Sequence, residues 1–172
     1  MTKRSVVTIL TDEGFGILRQ KSAPIAFTVL GDGAVCLDTT TVELIAELKQ
    51  FVKDNSGLGM SAIQFGVPLA VFVMRKPWNS NNVVAIINPK ILRKEDVVIK
   101  AEGCFSIPLP LGSGANVKRA SKIYVEYDTE DGERVTDELF IGMDARVFQH
   151  ELDHLNGELM IDEKKFEGWS TI

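Results

Sequence analysis

At 172 residues, with 45% apolar and 25% charged side chains, the chain is long enough to bury a core without staples and ordinary in composition for a globular protein. A net charge of −5 speaks against a nucleic-acid grip, and no apolar run approaches the roughly 18 residues that cross a bilayer. Two cysteines, Cys36 and Cys104, make no disulfide framework.

The first ten residues carry Lys3 and Arg4 but no long apolar region or small-residue cleavage site, so no signal peptide is recognised and a cytoplasmic location is expected. No repeat or linker divides the chain, and one domain is expected over residues 1–172, ending in a short tail at 158–172. Residues 39–55 read as an amphipathic helix, with Val42, Ile45, Leu48 and Val52 at helical spacing and Leu44 and Phe51 widening the face. Thr40 and Glu43 have capping-box spacing, and Asn55-Ser56-Gly57 supplies the stop. Residues 57–68 are small and Gly-rich, with no clear period, and their glycines permit close backbone approach.

Residues 70–74 and 83–87 read as buried strands joined by a polar connection at 77–82. Asn88-Pro89 ends the second of them, and residues 91–99 add another with charges at an edge. Residues 123–127 and 134–141 flank Asp131-Gly132 as a hairpin. Asp144 is placed to cap a last helix that Asn156-Gly157 terminates. The outline is α+β: antiparallel or mixed sheets packed around a central helix.

That last helix contains His150-Glu151-Leu152-Asp153-His154, which holds the only two histidines of the chain. Four residues apart on a helix, both imidazoles project from one face and can hold one metal ion, with Glu151 placed as a general base for water. Two surface histidines on an acidic face are the bland alternative. A catalytic metal usually takes three protein ligands and keeps one position open. The third ligand is either a downstream carboxylate (Glu158, Asp162, Glu163 or Glu167), as in thermolysin-like zinc peptidases, or a thiolate. A closed structural site would need a fourth Cys or His, and Cys36 reads as a small buried apolar residue. Cys104 stands out through its neighbours, Glu102-Gly103-Cys104-Phe105-Ser106.

Three blocks resemble the peptide deformylase family, in order and with similar spacing, over residues 1 to about 163. Gly57-Leu58-Gly59-Met60-Ser61-Ala62-Ile63-Gln64 is similar to its G-x-G-[LM]-[AS]-A-x-Q block. Residues 102–106 are similar to its E-G-C-[LF]-S block, and residues 149–157 to its Q-H-E-x-D-H-L-x-G block. The resemblance implies removal of the N-formyl group from the formyl-methionine of nascent peptides, giving formate and a free amine. It implies a divalent metal, natively Fe(II) with Zn(II) or Ni(II) as substitutes, on Cys104, His150 and His154. It further implies attack by a metal-activated water, Glu151 as base and then acid, and Gln64 with the Phe105 backbone N–H as oxyanion donors. Substrate would pair along Leu58, Gly59 and Gly103. Leu58, Val147 and the aliphatic surroundings of His150 would take the methionine side chain, with Glu102 bordering or supporting the slot.

Three features depart from the family pattern. The 109–116 connection is longer than usual and lies beside the site. Arg146 sits one turn before His150, where many members carry an aliphatic pocket residue and others an Arg. The tail at 158–172 is short and mildly acidic, so ribosome docking through a C-terminal helix is not expected, and a strand packing on the sheet competes with it. A monomer is expected, with no nucleic-acid or membrane partner. A zinc peptidase with a downstream carboxylate ligand, and a non-catalytic peptide-binding protein on the same fold, are the alternatives; the second predicts damage at a ligand or the base, and Glu151 is intact.

Overall fold

The computed structural model describes residues 4–171, so Lys3 of the N-terminal segment lies outside it, as does Ile172 of the tail. In chain order the elements are α1 (Asp12–Leu18), β1 (Thr28–Val29), β2 (Val35–Cys36), α2 (Thr39–Asp54), β3 (Gly59–Ser61), a 3-10 turn (Ala62–Phe65), β4 (Val71–Arg75), β5 (Val83–Glu102), β6 (Ser113–Asp128), β7 (Arg134–Ile141), α3 (Met143–Leu155) and β8 (Phe166–Thr171). β1 and β2 form a small ribbon. The main sheet runs β3-β4-β5-β6-β7, with β8 added to β6, and all strand pairs in both sheets are antiparallel. The architecture is the expected α+β. No helix among the described residues is long and apolar enough to cross a membrane.

β6 explains where α3 sits. One edge of this strand pairs with β5, and the other is shared by β8 (from Ser113 to Val117) and β7 (from Lys122 to Asp128). Between the two partners Ala120 would be left with an unpaired N–H and C=O, which is costly when buried. Gln149 of α3 fills the gap: its Oε1 accepts from Ala120 N–H at 3.1 Å and its Nε2 donates to Ala120 O at 2.8 Å. A helix is thereby docked onto a strand edge by a side-chain amide standing in for a peptide.

α3 is enclosed on nearly all sides, with residues 145–151 all buried. Its apolar anchors are Val147, Phe148 and Leu155. The Phe148 ring meets Phe72 of β4 edge-on at 5.1 Å and Phe140 of β7 at 5.3 Å. Each such fully buried ring contributes about 1.5–3 kcal/mol by leaving water. α2 covers the other half of the sheet through Leu44, Ile45, Leu48 and Val52 against β3, β4 and β5. At the end of α3, Gly157 takes φ +72, and a Cβ there would lie 2.3 Å from Arg19 O, so both backbone conformation and space require glycine.

Several local expectations are corrected. α2 begins one residue before Thr40, so its cap is Asp38, whose carboxylate accepts the Thr41 N–H at 3.0 Å, and Val42 faces solvent. Asp144 lies inside the first turn of α3 rather than at its cap, Gly142, and accepts the Trp78 N–H at 2.7 Å instead. Asn88-Pro89 bends β5 rather than ending it. The ladder shifts register between Ile87 and Lys90, so the missing proline N–H falls where no pairing is lost. Asn88 holds positive φ (50°) there while its side chain bonds Ile25 N–H, Ile25 O and Asp128. The long 109–116 connection is half strand, since β6 begins at Ser113. The tail adds β8 to the sheet.

Candidate metal centre

The end of one strand and two turns of one helix build the centre. His150 and His154 leave the same face of α3, with ring centroids 5.0 Å apart. Cys104 follows β5 directly, in a tight reversal closed by the Ile107 N–H donating to Cys104 O at 3.2 Å. Cys104 Sγ lies 3.3 Å from His154 Nε2. Donor atoms of Cys104, His150 and His154 all lie within 4.8 Å of one another, the one such cluster among the described residues. Donors held about 2.0–2.3 Å from one tetrahedral ion stand roughly 3.3–3.8 Å apart, so this spacing suits a single cation with a fourth position open.

Three of the four downstream carboxylates are engaged elsewhere, Glu158 with Lys164 and Lys165, Asp162 with Arg19, and Glu167 with Lys118, and Glu163 is no part of the donor cluster. None joins the histidines.

Glu102, the last residue of β5, sets the first histidine. Its carboxylate receives two hydrogen bonds from Arg119 (2.5 and 2.8 Å) and one from Arg146 (2.6 Å), and its Oε2 lies 2.9 Å from His150 Nδ1. Burial alone would raise the Glu102 pKa, but the bonds from His150 and Arg119 outweigh it and hold the group far below the usual carboxylate range. A carboxylate at Nδ1 keeps the ring proton there and leaves Nε2 as the electron-pair donor. Burial pulls the His150 pKa down, while bonding to Cys104 and Glu102 pulls it well above the ordinary value. For His154 the direction is opposite: burial and then the charges of His150 and Arg119 all push its pKa well below the ordinary value, keeping the ring neutral. Neutral imidazole is the form that ligates a metal. Among the described residues, His154 Nδ1 is buried without a partner.

Glu151 is buried beside this cluster, and its burial raises the carboxyl pKa. Its Oε2 accepts the Ser61 hydroxyl at 2.5 Å. On the other side lies Gly59, where a Cβ would stand 2.7 Å from Oε1, so only glycine leaves this carboxylate its seat. Gln64 is fixed by the Ser61 N–H donating to its Oε1 at 2.9 Å. Its Nε2 donates to Ser106 Oγ at 3.1 Å and faces Cys104 Sγ at 3.7 Å. The Phe105 ring is partly exposed, edge-on to Phe51, and among the described residues its backbone N–H has no protein acceptor.

A cavity of about 510 Å³ brings the expected residues together. Leu58, Gly59, Gln64, Glu102, Gly103, Cys104, Phe105, Arg146, Val147, His150 and Glu151 line it, and His154 is buried next to Cys104. Met143, Ile107 and Leu109 to Leu111 complete a mostly apolar wall of a size that accommodates small ligands. Arg146 lines it, but its guanidinium is occupied by Glu102 and by the carbonyls of Val117 and Val98. The charge therefore supports the centre instead of facing a ligand.

Ser61 and Arg119 were not singled out from the sequence. Ser61 carries one signal, a hydroxyl inside a fully buried strand that must find a partner. Arg119 carries none that separates it from the neighbouring Lys118, which points to the surface.

The family model described as Polypeptide deformylase matches residues 6–167. The chain is 40% identical over 127 residues to a peptide deformylase of Pseudothermotoga lettingae, covering 73% of this chain and 70% of that one. It is 33% identical over 161 residues to that of Prosthecochloris aestuarii, covering 91% and 78%. Among solved structures, it is similar to the peptide deformylase of Thermotoga maritima with a TM-score of 0.78 and 31% identity, over 94% of this chain and 97% of that chain. It is also similar to the Met-Ala-Ser-bound class I type b peptide deformylase of Acinetobacter baumannii, at TM-score 0.76 and 28% identity over 92% and 96%.

Proposed function

Since this chain belongs to the peptide deformylase family and is an enzyme of that type, we propose that it removes the formyl group from the N-terminal formyl-methionine of nascent polypeptides. The observation that carries this reading is the convergence of Cys104, His150 and His154 at a cavity that also presents Glu151 and Gln64. A Met-Ala-Ser complex of a similar enzyme supports a peptide occupant.

Cys104, His150 and His154 would hold one divalent ion, Fe(II) natively and Zn(II) or Ni(II) as substitutes. A thiolate offsets one unit of its charge and suits a borderline-soft cation. When bound, the ion supplies Lewis acidity, making hydroxide accessible near neutral pH and polarising an acyl oxygen. Glu151 takes a proton from the attacking water as the new C–O bond forms at the formyl carbon. It returns that proton to the amine nitrogen as the C–N bond breaks, giving formate and a free α-amine.

The Gln64 amide carries two hydrogens. One donates to Ser106 Oγ and the other to Cys104 Sγ at 3.7 Å, a long contact that the developing oxyanion would replace, joined there by the Phe105 N–H. Losing one such donor typically costs about 3–4 kcal/mol in the barrier. β3 is an edge strand, so Leu58 and Gly59 can pair with an extended peptide, with Gly103 on the facing side. Val147 and Leu58 supply the apolar wall for methionine. The enzyme acts as one domain and as a monomer, in a bacterial-type cytoplasm, near the ribosome.

The test is formate release from formyl-Met-Ala-Ser by anaerobically purified protein reconstituted with Fe(II) or Ni(II). Release lost on chelation and absent in Glu151→Gln, with Cys104→Ser losing metal instead, is the expected result. No release from correctly loaded protein overturns the reading.

A further inference from the structure

We propose that Ser61 is a positioning residue that holds the base: its hydroxyl anchors Glu151 Oε2 and leaves Oε1, the oxygen packed against Gly59, to carry the proton. The proposal rests on Glu151 being the base.

A buried hydroxyl is retained only where it finds a partner, and Ser61 is fully buried in β3. Its hydrogen has two acceptors within reach, Glu151 Oε2 at 2.5 Å and Glu151 O at 3.1 Å. The shorter contact is to the charged group, and hydrogen bonds to charged acceptors are the stronger ones. On the far side of the carboxylate, Gly59 allows approach to 2.7 Å of where its Cβ would be, so the carboxylate lies between two residues of one strand. The same serine donates its backbone N–H to Gln64 Oε1 at 2.9 Å. One residue thus fixes the base through its side chain and an oxyanion donor through its main chain. Alanine would keep the main-chain link to Gln64 Oε1 and lose the hydroxyl's bonds to Glu151 and its capping contact with the Gln64 backbone N–H.

The two carboxylate oxygens then have different tasks. With Oε2 held, the side chain cannot rotate about its last bond to present either oxygen at random, and the proton is taken and returned at one place. Orientation of a reacting group is a large part of catalytic advantage.

The experiment compares Ni(II)-loaded wild type, Ser61→Ala, Glu151→Asp and the double variant on formyl-Met-Ala-Ser, with metal content and Tm measured on each. Ser61→Ala is expected to lower kcat about tenfold or more with KM and metal content unchanged, since the bond removed is to a charged group. Glu151→Asp withdraws the carboxylate from the hydroxyl, so Ser61→Ala should cost nothing further in that background. In metal-free protein, the carboxylate stretch assigned to Glu151 by its loss in Glu151→Gln should shift in Ser61→Ala. Wild-type kcat in Ser61→Ala, an equal loss in both backgrounds, or a loss seen only as lower Tm or higher KM would overturn the proposal. Should wild type itself release no formate, the function proposed above fails, and the infrared comparison alone decides the Ser61–Glu151 contact.

Discussion

Glu102 Oε2 lies 2.9 Å from His150 Nδ1, so the strand that ends beside Cys104 also orients His150. The same carboxylate pairs with both Arg119 and Arg146, each buried within a few per cent of completely, and Arg119 also reaches Asp153 at 2.7 Å. The centre therefore stands on an ion cluster in which two guanidinium groups meet two carboxylates, Glu102 and Asp153.

Glu102→Ala is expected to fail twice over. Arg146 would be left buried without an anion and Arg119 with Asp153 alone, a loss of about 3–5 kcal/mol. Freed of its partner, His150 should bind metal roughly 10–100-fold more weakly. Chemical denaturation and competitive metal titration measure the two effects separately, and a variant of wild-type stability would contradict the ion-cluster account.

Gly59→Ala tests the seat of the carboxylate. A Cβ there would stand 2.7 Å from Glu151 Oε1, inside any tolerable contact, and the strand is hydrogen-bonded to β4 and cannot easily retreat. The carboxylate must move instead. A misplacement on the order of 1 Å in a reacting group can cost about a hundredfold, so kcat should fall by a factor of that order with metal content intact. Steady-state kinetics with metal analysis checks this.

Phe148→Ala probes the anchor of α3. The ring is fully buried between Phe72 and Phe140, and its removal should cost about 3–5 kcal/mol, read as a lower denaturation midpoint. α3 carries both histidines, so metal affinity should fall along with stability.

Acid dependence should appear where α1 meets the segment after α3. Asp162 is partly buried, which raises its pKa, but the hydrogen bonds from Arg19 and from the Leu159 N–H outweigh burial and leave it below its ordinary value of 3.8. A carboxylate depressed on folding stabilises the native state above its unfolded pKa and loses that contribution as pH falls through the folded value. Asp162→Asn should therefore be less stable than wild type at neutral pH, with the gap closing below pH 3.8. Thermal denaturation across pH measures it, and a constant gap would count against the assignment.

Features set by short-range pattern were legible in the sequence. The helical spacing of Ile45, Leu48 and Val52 matches the face α2 buries, and the four-residue spacing of His150 and His154 matches the ring pair. Asp131-Gly132 does join two paired strands. What could not be read depended on partners distant in the chain. Asp144 has the chemistry of a cap, but Trp78 claims its carboxylate. Asn88-Pro89 has the chemistry of a stop, yet Ile25 and Asp128 hold it as a bend within one 20-residue strand. At the site, Cys104, His150, Glu151 and His154 lie in recognisable motifs, whereas Ser61 and Arg119 owe their places to Glu151 and Glu102, distant in the chain.

The insertion of Gln149 into the vacant edge of β6 has a kinetic consequence. Because the side chain takes both polar groups of Ala120, the helix bearing the histidines cannot fray or slide without opening the sheet ladder beside it. The helix that carries both histidines and the central strand then open as one cooperative unit, so solvent exchange at the Ala120 amide would report global unfolding and not local breathing of the centre.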